Sequence, residues 1–146
     1  MLRQIDIPPL WLGVSLALAW ALSFLLAVPF VAAGLVLIAL GAGLMGIAVV
    51  QMVLARTTFI PRRNPAALVS GGAFAISRNP IYLGDALILT GVILFWGALF
   101  ALPLVPAFMW LITRRYIRDE EMRLHAAFGT EYRLWAARTG RWFGPL

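Results

Sequence analysis

Residues 68–84, LVSGGAFAISRNPIYLG, gather turn-forming and polar side chains between two long apolar runs. Gly71 and Gly72 allow backbone conformations that other residues avoid. Pro80 fixes its own φ and biases Asn79 away from the helical region, so an irregular segment ends here and a helix begins. The sequence therefore predicts a loop that leads directly into an apolar helix.

Four polar side chains lie within about two turns of the start of that helix, at ~1.5 Å rise per residue: Arg78, Asn79, Tyr82 and Asp85. Because the helix then enters an apolar run, we expect the cluster at a membrane surface, where it would contact a ligand. Asp85 falls one turn inside the run, and an ionisable group at that depth suggests a function such as accepting a substrate proton. The alternative is a carboxylate that pairs with Arg78 or reaches the interface.

Composition places the chain among integral membrane proteins, with 62% hydrophobic residues and a mean hydropathy of +0.91 over 146 residues. Residues 7–55 and 86–113 contain no Asp, Glu, Lys or Arg, and one span needs roughly 20 apolar residues. Backbone groups in hydrocarbon must be satisfied within the segment, and the alternation of barrel strands is missing. The predicted fold class is therefore all-α.

About four transmembrane helices are predicted, near residues 10–28, 30–54, 81–96 and 104–112, the last extending toward Tyr116. A charged helix then leaves the membrane, is interrupted at Phe128 and Gly129, and is followed by an interfacial helix at about 131–138. Because no repeat or linker divides the chain, residues 1–146 are predicted to form a single domain.

The basic residues are all arginine and give a net charge of +6. They lie at span ends and in the C-terminal segment, which favours retention of loops in the cytoplasm over nucleic-acid binding. The loop at 56–65 and both termini are therefore predicted to be cytoplasmic. The chain has no cysteine and one histidine, His125, which argues against thiolate or histidine-clustered metal sites. His125 itself is expected at the surface.

The second span contains GAGLMG at 41–46, the spacing of dinucleotide-binding loops. That fingerprint needs a preceding strand and a downstream acidic residue, whereas this stretch lies inside a charge-free helix. We instead interpret the small residues, together with Gly34, as a surface on which helices approach closely.

Glu120 and Glu121 form an acidic pair where the fourth span leaves the bilayer. The predicted topology brings this pair to the same face as Arg78, Asn79 and Tyr82, where two carboxylates can bind a cationic group such as an amine. The alternative is a solvated acidic turn that pairs with arginines at helical spacing in the same helix.

Two blocks of the chain resemble bacterial relatives of isoprenylcysteine carboxyl methyltransferase, a group that also looks related to the phospholipid N-methyltransferases. The first is residues 68–84, similar to the pattern L-V-x-x-G-x-Y followed by R-[HN]-P-x-Y-x-G. The second is IRDEEMRLHAAFGTEYRLWAARTGRW at 117–142, similar to E-E-x-x-L-x-x-x-F-G-x-x-Y with a basic, aromatic tail. The resemblance covers about 57–146, which would be the cofactor-site portion.

The resemblance implies S-adenosylmethionine as methyl donor, S-adenosylhomocysteine as product, and a cytoplasmic site in a bacterial-type inner membrane. Glu120 would hold the amino group of the cofactor. Phe74 stands where the family usually has Tyr, and Asn79 stands where the eukaryotic members have His. By position, the cofactor-binding residues would be Leu68, Val69, Phe74, Arg78, Asn79, Pro80, Ile81, Tyr82, Gly84, Glu120 and Glu121.

The acceptor implied by the resemblance is a lipid-like or amphipathic molecule with a carboxylate or an amine. Tyr116 stands where the eukaryotic enzymes have an arginine that meets the acceptor carboxylate, and Arg115 is adjacent, so both are candidate substrate-binding residues. Direct displacement needs no metal, but an amine must lose a proton, for which Asp85 and Glu121 are candidate catalytic bases. The alternative is a non-catalytic membrane protein that binds anionic lipid or a partner protein.

Overall fold

The computed structural model describes residues 7–25, 28–58 and 63–144, and no strand occurs among them. The all-α fold class is thus confirmed over this part of the chain. The α-helices are α1 (Pro8–Ser23), α2 (Val31–Leu54), α3 (Ala73–Ile76), α4 (Pro80–Trp96), α5 (Leu104–Ile112) and α6 (Arg118–Arg138). A 3₁₀ turn (Leu99–Ala101) precedes α5, and a π turn (Thr113–Ile117) joins α5 to α6.

Proline and glycine set several helix ends. Pro8 and Pro80 lie in the first turns of α1 and α4, where a backbone N–H has no partner within the helix. Gly97 ends α4 in the left-handed conformation, with φ 65°. Its carbonyl accepts a hydrogen bond from the backbone N–H of Val28 at 3.1 Å. This bond ties the turn between α1 and α2 to the far end of α4.

α2 and α4 cross in antiparallel fashion with their backbones in contact at two levels. A Cβ added to Gly41 would lie 2.6 Å from the carbonyl oxygen of Gly84, and one added to Gly34 would lie 2.6 Å from that of Gly91. The contacts are reciprocal, and the glycines are spaced two helical turns apart on each helix. The prediction of close helix approach at Gly34 and Gly41 is therefore confirmed.

The same prediction is wrong for Gly43 and Gly46, which have no neighbouring heavy atom within 4 Å of an added Cβ. Successive residues of an α-helix are about 100° apart, so both residues point away from the face that carries Gly41. The whole GAGLMG stretch lies within α2.

The chain returns from α4 toward its starting end through α5, the π turn and α6. Tyr116 and Ile117 in the π turn are buried. Gly129 has non-helical torsion angles, with φ 48° and ψ −113°, inside α6. The predicted interruption at this glycine is confirmed. Beyond it, Tyr132 and Trp135 are buried in a small apolar cluster with α2 and α3.

α2 is the one described helix that is long and apolar enough to cross a membrane by itself, whereas α1 and α4 are apolar but shorter. At 1.5 Å per residue its 24 residues extend about 36 Å. Its outward face is apolar, because Leu40 and Ile47 are more than half exposed. The prediction of four spans remains a prediction.

Candidate active site

The turn at Gly71 and Gly72 is held from α2 by Gln51. Its Oε1 accepts a hydrogen bond from the backbone N–H of Ala73 at 2.9 Å, and its Nε2 donates to the carbonyl of Gly71 at 3.2 Å. Gly72 has φ 57°, and a Cβ there would collide with the Gln51 amide. A side chain near the end of α2 thus fixes the start of α3 and requires glycine beside it.

The turn that leads into α4 is fixed by the C-terminal segment 139–143. The carbonyl of Arg141 accepts hydrogen bonds from Ser77 Oγ at 3.2 Å and Asn79 Nδ2 at 3.0 Å. The backbone N–H of Arg78 donates to the carbonyl of Gly140 at 2.9 Å. The chain's last described turn therefore holds the residues immediately before Pro80.

The two distant sequence blocks meet at Tyr82 and Glu120. The Tyr82 hydroxyl donates a hydrogen bond to Glu120 Oε1 at 2.7 Å, which joins the first turn of α4 to the first turn of α6. Arg78, from the same loop, pairs with Glu121 at 3.2 Å. The prediction that the loop at 68–84 and the acidic pair lie at one end of the molecule is therefore confirmed.

Glu121 is engaged by two guanidinium groups. Arg141 donates from Nε to Oε1 at 2.9 Å and from Nη2 to Oε2 at 2.6 Å, a bidentate pair. Arg78 Nη1 lies 3.2 Å from Oε1 and also donates to the Tyr132 hydroxyl at 3.1 Å. The alternative prediction is that the acidic pair bonds arginines of its own helix. It is wrong for Glu121, because Arg141 and Arg78 both lie outside α6.

Contacts and burial within this ionic cluster shift the pKa values of Arg141 and Tyr132. The hydrogen bonds to Glu121 raise the pKa of Arg141 above its ordinary value, so the guanidinium stays charged. Burial, followed by the nearby Glu121 carboxylate, raises the pKa of Tyr132. The phenol therefore stays protonated, with its oxygen accepting from Arg78.

A cavity of about 420 Å³ lies beside these contacts, between the loop, α2, α4 and α6. Its volume falls in the range of ~300–1,000 Å³ that is usual for small-molecule sites. All of the predicted cofactor-binding residues line it except Gly84 and Glu121. Those that do are Leu68, Val69, Phe74, Arg78, Asn79, Pro80, Ile81, Tyr82 and Glu120.

The cavity wall is mostly apolar, with charged groups placed within it. Trp135 lines it and donates from Nε1 to the backbone carbonyl of Phe74 at 2.9 Å, which fixes the indole ring against α3. Asp85 also lines it and is 5% exposed. Counted along α4, Asp85 lies about 4.5 Å deeper than Tyr82. The alternative interpretation, in which Asp85 pairs with Arg78, is not found among the described residues, where Arg78 bonds Glu121 and Tyr132.

The other predicted residues lie outside the cavity. Gly84 contacts Gly41 at the helix crossing. The guanidinium of Arg115 stacks over the Trp11 ring at 5.1 Å. Tyr116 is 1% exposed and its ring centre lies 6.4 Å from that of Tyr82. The two candidate substrate-binding residues therefore pack against neighbouring helices and do not line this cavity.

Glu121 faces a different, open groove on α6, which it shares with His125 and Tyr132. The His125 side chain is exposed, and its ring meets the Tyr132 ring edge-on at 5.8 Å between centres. Over the described ranges, no group of three metal-ligating side chains comes together.

Sequence reasoning missed Gln51 and Arg141. Gln51 is the single side-chain amide in the charge-free run 7–55, and its isolation there was a signal of a specific polar contact. Arg141 had no such signal, since it is one of several arginines in the C-terminal segment. Its contacts with Ser77 and Asn79 join residues more than sixty positions apart.

The chain matches the family model described as phospholipid methyltransferase over residues 22–131. That match covers most of the chain, so the protein belongs to the phospholipid methyltransferase family. No curated protein and no solved structure gives a significant match.

Proposed function

We propose that this member of the phospholipid methyltransferase family transfers the methyl group of S-adenosylmethionine to a lipid-like acceptor at the cytoplasmic membrane face. The observation that carries the proposal is the hydrogen bond from Tyr82 to Glu120, which joins the two motif blocks on the wall of one cavity. A family match alone gives the reaction class, whereas this contact supports a place for the donor.

The residues present fit this cofactor. The Glu120 carboxylate would hold the α-ammonium group, and the aromatic wall formed by Phe74 and Trp135 would face the adenine ring. Arg78 lines the cavity and has a buried Nε atom without a hydrogen-bond partner among the described residues. Because an unsatisfied buried donor is unfavourable, a small rearrangement that offers it an anionic oxygen would be stabilising.

The bound cofactor would supply an activated methyl group: the acceptor's electron pair forms the new bond to carbon, and the carbon–sulfur pair returns to sulfur. The protein's part is to align the reactants and exclude water. The apolar cavity wall serves both purposes. Asp85 and Glu120 both line the cavity. Because Glu120 would hold the ammonium group of the cofactor, Asp85 is the carboxylate that would accept the proton released by an amine acceptor. An unchanged pH–rate profile for Asp85→Asn would remove that role.

Glu121 is less suited to the role of base or cofactor ligand. Both of its carboxylate oxygens accept hydrogen bonds from Arg141, and it does not line the cavity. We therefore assign the proton-accepting role, where one is needed, to Asp85 alone.

The proposed topology has four membrane passes with both termini in the cytoplasm, in a bacterial-type inner membrane. It is supported by the apolar length of α2, by the antiparallel run of α4 beside it, and by the return of the chain through α5. The cofactor would then reach the cavity from the cytoplasm, and the acceptor would reach it from the bilayer.

Calorimetric titration of the detergent-solubilised protein with S-adenosylhomocysteine tests the proposal. We expect saturable binding that Glu120→Ala weakens at least tenfold. Asp119→Ala is the matched control, because Asp119 is an exposed carboxylate on the same turn that does not line the cavity. Absence of binding to folded wild-type protein would overturn the proposal and favour a non-catalytic lipid- or partner-binding protein.

A further inference from the structure

We propose that Arg141 is a positioning residue of this site and that Glu121 acts through the arginines it binds, without touching the cofactor. The inference rests on the proposed function, since it concerns how the donor site is held. It assigns a role to the C-terminal segment 139–143, which forms the basic, aromatic end of the second block and for which the resemblance implies no cofactor contact.

The side chain of Arg141 reaches α6. Its bidentate contact with Glu121, at 2.9 and 2.6 Å, is a charge-assisted fork whose two parallel hydrogen bonds fix the orientation of both partners. The Glu121 side chain is 16% exposed and that of Arg141 is 32% exposed, so the carboxylate is mostly buried and the guanidinium partly so. At that burial the pair is less screened by water than an ion pair at the open surface.

The main chain of Arg141 reaches the loop before α4. Its carbonyl oxygen accepts from both Ser77 Oγ and Asn79 Nδ2, and Ser77 Oγ in turn accepts from the Asn79 backbone N–H at 3.0 Å. Ser77 is 0% exposed and Asn79 is 9% exposed. One residue therefore holds α6 through its side chain and the loop through its backbone.

Glu121, which Arg141 holds in place, also orients Arg78 at the cavity wall. Arg78 Nη1 lies 3.2 Å from Glu121 Oε1, and Arg78 lines the cavity. The connected order is thus Arg141, Glu121, Arg78, and then the donor site. Glu121 itself lines the separate, open groove on α6 and not the cavity. Adjacent carboxylates on one helix therefore have different roles: Glu120 contacts the donor, and Glu121 orients an arginine that does.

A double-mutant cycle tests this order, with the dissociation constant of S-adenosylhomocysteine measured well below each variant's unfolding midpoint. We expect Arg141→Ala and Glu121→Gln each to raise the dissociation constant about tenfold. The double variant should raise it no further, because each change interrupts the same connection, which runs from Arg141 through Glu121 to Arg78. Arg138→Ala is the matched control: it removes an exposed arginine one turn earlier, and should bind like wild type.

Arg141→Lys separates positioning from folding, because it keeps the charge and the backbone but cannot form the fork. We expect binding between that of wild type and Arg141→Ala, and it replaces Arg141→Ala in the cycle should that variant fail to fold. Additive losses in the cycle, near one hundredfold, would show that Arg141 and Glu121 act on binding independently and would overturn the proposal. Unchanged binding by Arg141→Ala and Arg141→Lys would overturn it as well. A wild type that does not bind would remove the proposed function, and this inference with it.

Discussion

The middle and the first turn of α4 are held by opposite kinds of interaction. The middle packs on α2 through glycines, where the nearest atoms are backbone atoms and apolar side chains. Its first turn is held by hydrogen bonds and ion pairs from the loop, α6 and the C-terminal segment. The first arrangement needs residues that lack a side chain, and the second needs particular side chains from several distant segments.

The glycine crossing acts as the scaffold, and the polar start of α4 forms the candidate site. At the glycine crossing the two backbones touch, and backbone atoms cannot move aside by a change of rotamer. The relative position of α2 and α4 is therefore rigidly fixed. The polar end keeps a cavity open beside its hydrogen bonds. The proposed site for a donor and an acceptor needs space and oriented polar groups, and in the described part of the chain this end of α4 provides both.

Filling the glycine crossing should produce the largest change. Gly41→Ala places a methyl group 2.6 Å from the carbonyl oxygen of Gly84. Because this clash is with backbone, which cannot move aside as a side chain can, the free energy of unfolding should fall by about 3 kcal/mol or more, the upper end of the range for overpacking. Denaturant or thermal unfolding in detergent, followed by tryptophan fluorescence, measures the loss.

Gly43→Ala is the matched control in the same helix, because an added Cβ there meets no atom within 4 Å. Helix propensity favours alanine over glycine by about 1 kcal/mol, so this variant should be neutral or more stable. Equal destabilisation by Gly41→Ala and Gly43→Ala would contradict the conclusion that α2 contacts α4 specifically through Gly41.

Removing the hydroxyl that joins the two motif blocks should have an intermediate effect. Tyr82→Phe deletes the 2.7 Å hydrogen bond to Glu120, and bonds to charged groups contribute about 1.5–3 kcal/mol. We expect a lower unfolding midpoint and at least a fivefold weaker S-adenosylhomocysteine affinity, measured by calorimetry.

Thr90→Val is its control on α4, because Thr90 Oγ1 donates only to the Ala86 carbonyl one turn earlier. Loss of that local bond leaves the segments joined, so ligand affinity should stay at the wild-type value. A Tyr82→Phe variant that binds S-adenosylhomocysteine as tightly as wild type would show that this hydrogen bond does not contribute to the donor site.

Gln51→Leu should have the smallest effect of the three. It removes both bonds to the turn at Gly71 and Ala73, but the turn is partly exposed and water can replace them, so about 1 kcal/mol is expected. Hydrogen exchange at the amide of Ala73 should accelerate, whereas exchange in the middle of α4 should not. Protection that is unchanged at Ala73 would show that Gln51 does not hold the turn.

Most of the scaffold was predictable because its signals are local. Charge-free runs, Pro80 and Gly97 mark helices and their ends through backbone chemistry that does not depend on distant residues. Which glycines of α2 face α4 was not predictable from composition alone, since rotation about the helix axis separates Gly41 from Gly43.

The sequence by itself determined an all-helical, strongly apolar chain with a polar loop before Pro80 and an acidic pair after the last apolar run, because charge and turn residues act over a few positions. Only the tertiary structure decided that Glu120 joins Tyr82 at a cavity while Glu121 turns to Arg141. Neighbours on a helix point about 100° apart. What each one meets is set by the segments packed around the helix, and no local pattern contains that information.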